Sequence, residues 1–96
     1  MKYRTTVEAD QDIVEIYVLG ADQFGVRQSE RYIEDLFSTF ELLARNPRMA
    51  RERHELNPPM RLHPHHAHII VYLIREEDIL IVRVLHGRED WQSLFA

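Results

Sequence analysis

Two hydrophobic rhythms divide the chain, a helical one in its first half and a strand-like one in its second. From Val7 to Gln23, Ala9, Ile13, Ile16, Tyr17 and Gly20 recur at the spacing of one helix face. Thr5 or Thr6 is placed to cap that helix, and Glu8, three residues after Thr5, completes the pattern of a capping box. Acids at 8, 10 and 12 sit where the positive end of the helix dipole favours them. After Gly25 a second run, Val26 to Ala44, gathers Ser29, Tyr32, Ile33, Leu36, Phe37, Phe40 and Leu43 on one stripe. Its polar face is Arg27, Arg31, Glu34, Asp35, Ser38 and Glu41. Asn46-Pro47 ends it, because proline cannot continue the hydrogen-bond ladder and constrains the residue before it. Two helices joined by a glycine turn predict an antiparallel hairpin.

The second half is rich in β-branched and aromatic residues. Met60 to His63, Ala67 to Ile74 and Ile79 to His86 predict three strands, the last two paired across the polar turn Arg75 to Asp78. Lys2 to Thr6 supplies a fourth. The order β-α-α-β-β-β predicts an α+β fold, with the helix hairpin on one face of a largely antiparallel sheet. Ninety-six residues make one domain, spanning residues 1–96.

Two apolar surfaces exceed what that plan consumes. In the last two strands Ile69, Val71 and Leu73 oppose Ile70, Tyr72 and Ile74, and Leu80, Val82 and Val84 oppose Ile79, Ile81 and Leu85. A helix hairpin covers one sheet face only. The second face calls for the tail residues Trp91, Leu94 and Phe95, or for another chain. On the first helix Val7, Val14, Val18 and Ala21 make a second stripe about 130° from the core stripe, a groove suited to a partner helix.

Composition places the chain among soluble proteins. It is 45% apolar and 29% charged, without cysteine, and its longest apolar run falls far short of the roughly 18 residues of a membrane span. With no signal-peptide pattern at the start, the expected location is the cytoplasm, away from membranes. The net charge of −4 hides an asymmetry: residues 1–44 carry −5, residues 45–75 carry +4 and the remainder −3. The middle segment also holds five of the six histidines, so an anionic partner would meet it first, more so below about pH 6.5.

Candidate chemistry is sparse. His63, His65, His66 and His68 invite a metal, but they point different ways around Pro64 and no carboxylate lies nearby in sequence, so neither a metal site nor a cofactor is expected. No nucleophile–base pair or phosphate-binding glycine loop is present. Arg61, Arg83, His86 and Arg88 would suit acid–base cleavage of RNA if they clustered at one end of the sheet. Arg83 interrupts an otherwise apolar strand, where a charge needs a function or an ion pair, for which Glu89 and Asp90 are at hand.

The stretch His68-Ile69-Ile70-Val71-Tyr72, followed by Ile79 through Trp91 with its Arg-Val-Leu-His-Gly-Arg-Glu-Asp-Trp ending, resembles the ParE toxins of the RelE/ParE superfamily. Ala9, Asp12, Ile13, Ile16 and Tyr17, then Tyr32 through Leu43 with Asn46-Pro47, resemble the same family, so the likeness spans nearly the whole chain. One departure is Met49-Ala50, where relatives often carry a glycine after the proline.

The resemblance implies a toxin that poisons DNA gyrase and blocks replication, is not an enzyme, touches DNA only through gyrase or the antitoxin, and is held inactive by a ParD-like antitoxin in a hetero-oligomer. RelE relatives instead cut messenger RNA on the ribosome, usually with a C-terminal Tyr or His; the ending Trp91 to Ala96 has neither, and an acidic chain suits RNA poorly. A third alternative is a non-toxic module that only assists antitoxin repression. The candidate target surface is Arg83, His86, Arg88 and Trp91 with Arg61; the candidate antitoxin surface is Val7, Val14, Val18 and Ala21.

Overall fold

Thr6 fixes where the first helix begins. In the computed structural model, which describes residues 1–95, strand β1 (Lys2–Thr5) leads into α1 (Val7–Phe24), and the Thr6 side chain accepts the Ala9 N–H at 2.9 Å. The capping box expected from Thr5 and Glu8 gives way to this later cap, since the Thr5 hydroxyl donates instead to Asp10 Oδ1 at 2.6 Å. Gly25, at φ +94°, closes α1 and opens α2 (Val26–Arg45), a backbone angle that glycine adopts without steric cost. The hairpin packs closely because Gly20 has no side chain: a Cβ there would lie 2.7 Å from the Ser29 hydroxyl, which donates to the Tyr17 carbonyl at 2.7 Å.

Four more strands follow: β2 (Glu52–Arg53), β3 (Met60–His65), β4 (His68–Ile74) and β5 (Asp78–His86), then a short α3 (Trp91–Leu94). The sheet order is β1-β5-β4-β3-β2, with β1 parallel to β5 and all other pairs antiparallel. The α+β plan read from the sequence therefore holds. Strand β2 is an addition, since two polar residues leave no alternation to read. β3 also runs past Pro64 to His65; β2 pairs only with Met60 and Arg61, so Pro64 faces no neighbour on that side that needs its missing N–H.

Alternation along β5 breaks at its centre. Tyr72 pairs with Ile81 but Val71 with Arg83, so Val82 is an extra residue, a β-bulge. The bulge exchanges the two faces beyond it: Val84 joins Ile79 and Ile81 under the helices, and Leu85 joins the opposite side, the reverse of the strict alternation expected for this pair. The bulged turn is anchored to α1, because the Thr6 hydroxyl donates to the Val82 carbonyl at 2.7 Å and the Thr6 N–H to that of Ile81 at 3.1 Å.

The main core joins Ala9, Ile13, Leu36, Phe40 and Leu43 of the helices to Ile70, Tyr72, Ile79, Ile81 and Val84 of the sheet. On the far face Leu56, Met60, Val71 and Leu85 are buried, with Trp91 and Phe95 packed against them. The tail thus covers the second sheet face, with one correction: Leu94 is exposed, and Leu56 from the loop before β3 takes its place. The Asn57 N–H donates to the Phe95 carbonyl at 3.1 Å, joining loop and tail.

Candidate functional site

The outer face of α1 carries the first candidate surface. Val7, Val14 and Val18 are 68%, 62% and 57% exposed, and with Leu19 they line a shallow apolar groove edged by Asp10, Gln11 and Glu15. Three valines within an arc of about 40° on a 3.6-residue helix form a continuous ridge. Ala21 does not belong to it. Though only about 20° around the helix from Val14, it is half-buried and lies outside the lining of the groove. Leu19, absent from the sequence-based set, takes its place on the opposite flank.

The residues expected to meet at one end of the sheet separate into three environments. Arg61 donates to the Ala50 carbonyl and is aligned with Tyr72 and Ile81, about 13 Å along the ladder from His86 at 3.3 Å per residue. Arg83 reaches neither Glu89 nor Asp90. Its guanidinium makes two bonds to the Asp12 carboxylate of α1, at 2.7 and 2.9 Å, and Asp12 Oδ2 also accepts the Val84 N–H at 2.9 Å. Hydrogen bonding to Asp12 pushes the Arg83 pKa up still further, so the guanidinium stays charged and is committed to that carboxylate. At the end of β5, His86 Nδ1 accepts the Arg88 N–H at 3.1 Å while the His86 N–H donates to Glu89 Oε1 at 3.1 Å, a tight turn that leaves the Arg88 side chain exposed. Trp91 is half-buried, its indole under the Arg53 guanidinium at 5.5 Å.

Between α1, the start of α2 and the ends of β4 and β5 lies an open cavity of about 520 Å³. Ile16, Leu19 and Phe24 form its apolar wall, and Tyr32, His68 and His86 its polar floor. The Tyr32 hydroxyl lies 2.6 Å from His68 Nδ1 and donates to the His65 carbonyl at 3.2 Å. Burial raises the Tyr32 pKa and lowers that of His68, with His86 adding to the latter, so both groups are neutral near pH 7. The charged lining is Asp12, Glu15 and Glu89, with no arginine or lysine among them. With Asp12 tied to Arg83, the carboxylates of Glu15 and Glu89 give the lining a negative balance that disfavours a phosphodiester.

The histidine-rich turn also differs from expectation. A carboxylate does stand beside it: Asp35 Oδ2, from α2, is 3.1 Å from His66 Nε2 and 3.6 Å from His65 Nε2. Desolvation holds His63, His65 and His68 below the usual imidazole range, so this segment gains less positive charge on acidification than its histidine count implies.

The family model described as "ParE toxin of type II toxin-antitoxin system, parDE" matches residues 3–91. The chain belongs to the ParE toxin family. Among characterised relatives, Toxin ParE1 of Mycobacterium tuberculosis is 32% identical over 90 residues, covering 93% of this chain and 92% of that one. Toxin ParE1 of Caulobacter vibrioides is 29% identical over 84 residues, covering 88% and 86%. The fold matches a chain of the chromosomal ParDE system from P. aeruginosa with a TM-score of 0.76 at 18% identity, over 90% of this chain and 95% of that one. This ParE-family toxin carries the Asp12–Arg83 pair, the bulge and the Trp91 contact all inside the matched span. Among its described residues no helix is long and apolar enough to cross a membrane.

Proposed function

We propose that this ParE-family toxin acts in the cytoplasm as a non-enzymatic inhibitor of DNA gyrase, and that a ParD-like antitoxin neutralises it by laying a helix along α1. The observation that carries the antitoxin surface is the exposed ridge Val7, Val14 and Val18 with Leu19, apolar along its length and acidic at its edges. Contiguous exposed apolar surface of this kind marks an interaction site. The complementary partner is an amphipathic helix with an aliphatic stripe and basic flanks.

Family membership supports gyrase as the target, and the side-chain arrangement weighs against the RNA-cleaving alternative. Arg83 is bound to Asp12, Arg61 lies apart, and the lining of the cavity beside His68 and His86 holds no arginine or lysine. Phosphate-gripping catalysis needs uncommitted cations at the reacting group. Arg88, exposed on the turn after β5, and Trp91 beside it are the proposed target contacts.

Purified toxin tested in a gyrase supercoiling and cleavage assay, beside a ribosome-dependent RNA cleavage assay, separates the alternatives. Inhibited supercoiling with trapped cleaved DNA is the expected result. Cut messenger RNA with unaffected gyrase would overturn it in favour of the RelE-like mechanism, and inactivity in both, with antitoxin binding retained, in favour of a module serving only repression. In bacteria, expression of the chain alone should give filamentation and DNA-damage signalling rather than prompt translation arrest.

A further inference from the structure

The turn between β3 and β4 holds an electrostatic conflict that neither proposed surface uses. Thr39 lies one turn after Asp35 on α2, and its hydroxyl donates to the Asp35 carbonyl at 3.1 Å. The same oxygen stands 3.2 Å from Nδ1 of His65. With its hydrogen on the Asp35 carbonyl, the hydroxyl accepts at its other contact, which assigns the ring proton of His65 to Nδ1 and leaves a lone pair on Nε2. Among the described residues that Nε2 has no hydrogen-bond partner. The His65 side chain is 5% exposed, and Nε2 faces Asp35 Oδ2 at 3.6 Å. A buried lone pair set against a carboxylate oxygen is unfavourable unless a positive centre lies between them.

His66 supplies a third donor to the same point. Its Nε2 is 3.1 Å from Asp35 Oδ2, and its backbone stands at φ +53°, a left-handed angle uncommon for residues other than glycine. The three ligand atoms all lie within 4.8 Å of one another. Around zinc, with bonds of about 2.0 to 2.1 Å, tetrahedral ligand atoms stand roughly 3.3 to 3.4 Å apart. The two Asp35 distances bracket that edge, and rotation of the exposed His66 ring closes the third. Thr39 has the place of the outer partner that ligating histidines require on their other nitrogen.

We infer that Asp35, His65 and His66 form a binding site for a divalent first-row transition cation of the zinc class, with a fourth position open to water or to a donor from a partner. Two imidazoles and one carboxylate suit zinc or cobalt and not calcium or magnesium, which prefer all-oxygen shells. The ion would tie α2 to the β3–β4 turn, beside the Tyr32–His68 contact.

Titration of the full chain with Zn²⁺ tests the site, with Co²⁺ as a spectroscopic substitute. The expected result is one saturable equivalent, a visible Co²⁺ spectrum of the intense four-coordinate type, and a melting temperature raised by about 10 °C or more at a hundredfold excess over the dissociation constant. Asp35→Asn and His66→Gln change exposed side chains, so they fold; each should weaken binding by at least about tenfold, whereas His54→Gln and His63→Gln leave it unchanged. Thr39→Val keeps all three ligands and should weaken binding by about tenfold through loss of ring orientation. Equal affinity in Asp35→Asn and wild-type protein, or loss of the equivalent in His54→Gln or His63→Gln, would overturn the site in favour of adventitious imidazole binding; absence of saturable binding would overturn it outright.

Discussion

Asp12 and Arg83, 71 residues apart in the chain, form a two-pronged ion pair that locks the first helix to the bulge of the fifth strand. The carboxylate is 11% exposed and the guanidinium 28%, and Asp12 also accepts the Val84 N–H, so removing it strands three N–H donors at once. Asp12→Ala should therefore lower stability by about 2 to 3 kcal/mol, below the figure for a fully buried pair because Arg83 reaches water. Arg83→Ala should cost a similar amount. In urea denaturation the double variant should lose clearly less than the sum of the two, and simple additivity would mean that the pair is not coupled.

The valine ridge makes the antitoxin surface separable from the fold. Val14→Glu and Val18→Glu alter side chains that are mostly in water, so stability should stay within about 0.5 kcal/mol of wild type. Each should weaken antitoxin binding by at least about tenfold, equivalent to roughly 1.4 kcal/mol, as measured by calorimetric titration. Unchanged affinity in the double variant would exclude this face.

Gly20 marks the closest approach of the two helices. An alanine there gains helix propensity of up to about 1 kcal/mol but drives its Cβ to 2.7 Å from the Ser29 hydroxyl and 3.3 Å from the Ser29 Cβ. Overpacking a close contact costs about 1 to 3 kcal/mol, so Gly20→Ala should be net destabilising by about 1 kcal/mol. Adding Ser29→Ala removes the nearer clash and should restore part of the loss in thermal melts; if the single variant is as stable as wild type, the hairpin has more slack than these distances imply.

Arg88 and Trp91 separate target contact from tail packing. Arg88 is exposed, so Arg88→Ala should leave stability within about 0.5 kcal/mol of wild type while reducing gyrase inhibition by about tenfold or more. Trp91 packs on the second cluster and under Arg53, so Trp91→Ala should cost about 2 kcal/mol as well as activity. A folded Arg88→Ala protein with full gyrase inhibition would remove this turn from the target surface.

Much of the architecture is legible in the chain. Period-3.6 stripes from Ala9 to Leu43, the stop at Asn46-Pro47 and the β-branched runs from Met60 to His86 determine the elements, because local periodicity, caps and breakers act over a few residues. The paired apolar faces of the last two strands equally required a second cover, and Trp91 and Phe95 provide it. What depends on contacts between distant segments was decided only by the tertiary structure. The extra residue at Val82 moves Val84 and Leu85 to the faces opposite those that strict alternation assigns, because a bulge is a property of two strands in register and not of one. Arg83 pairs with Asp12 and not with the nearer Glu89 or Asp90, since packing of α1 on β5 brings that carboxylate within two hydrogen bonds. Asp35, on the polar face of the second helix, meets His65 and His66 across 30 residues of chain, a convergence that no spacing rule records because it is made by folding.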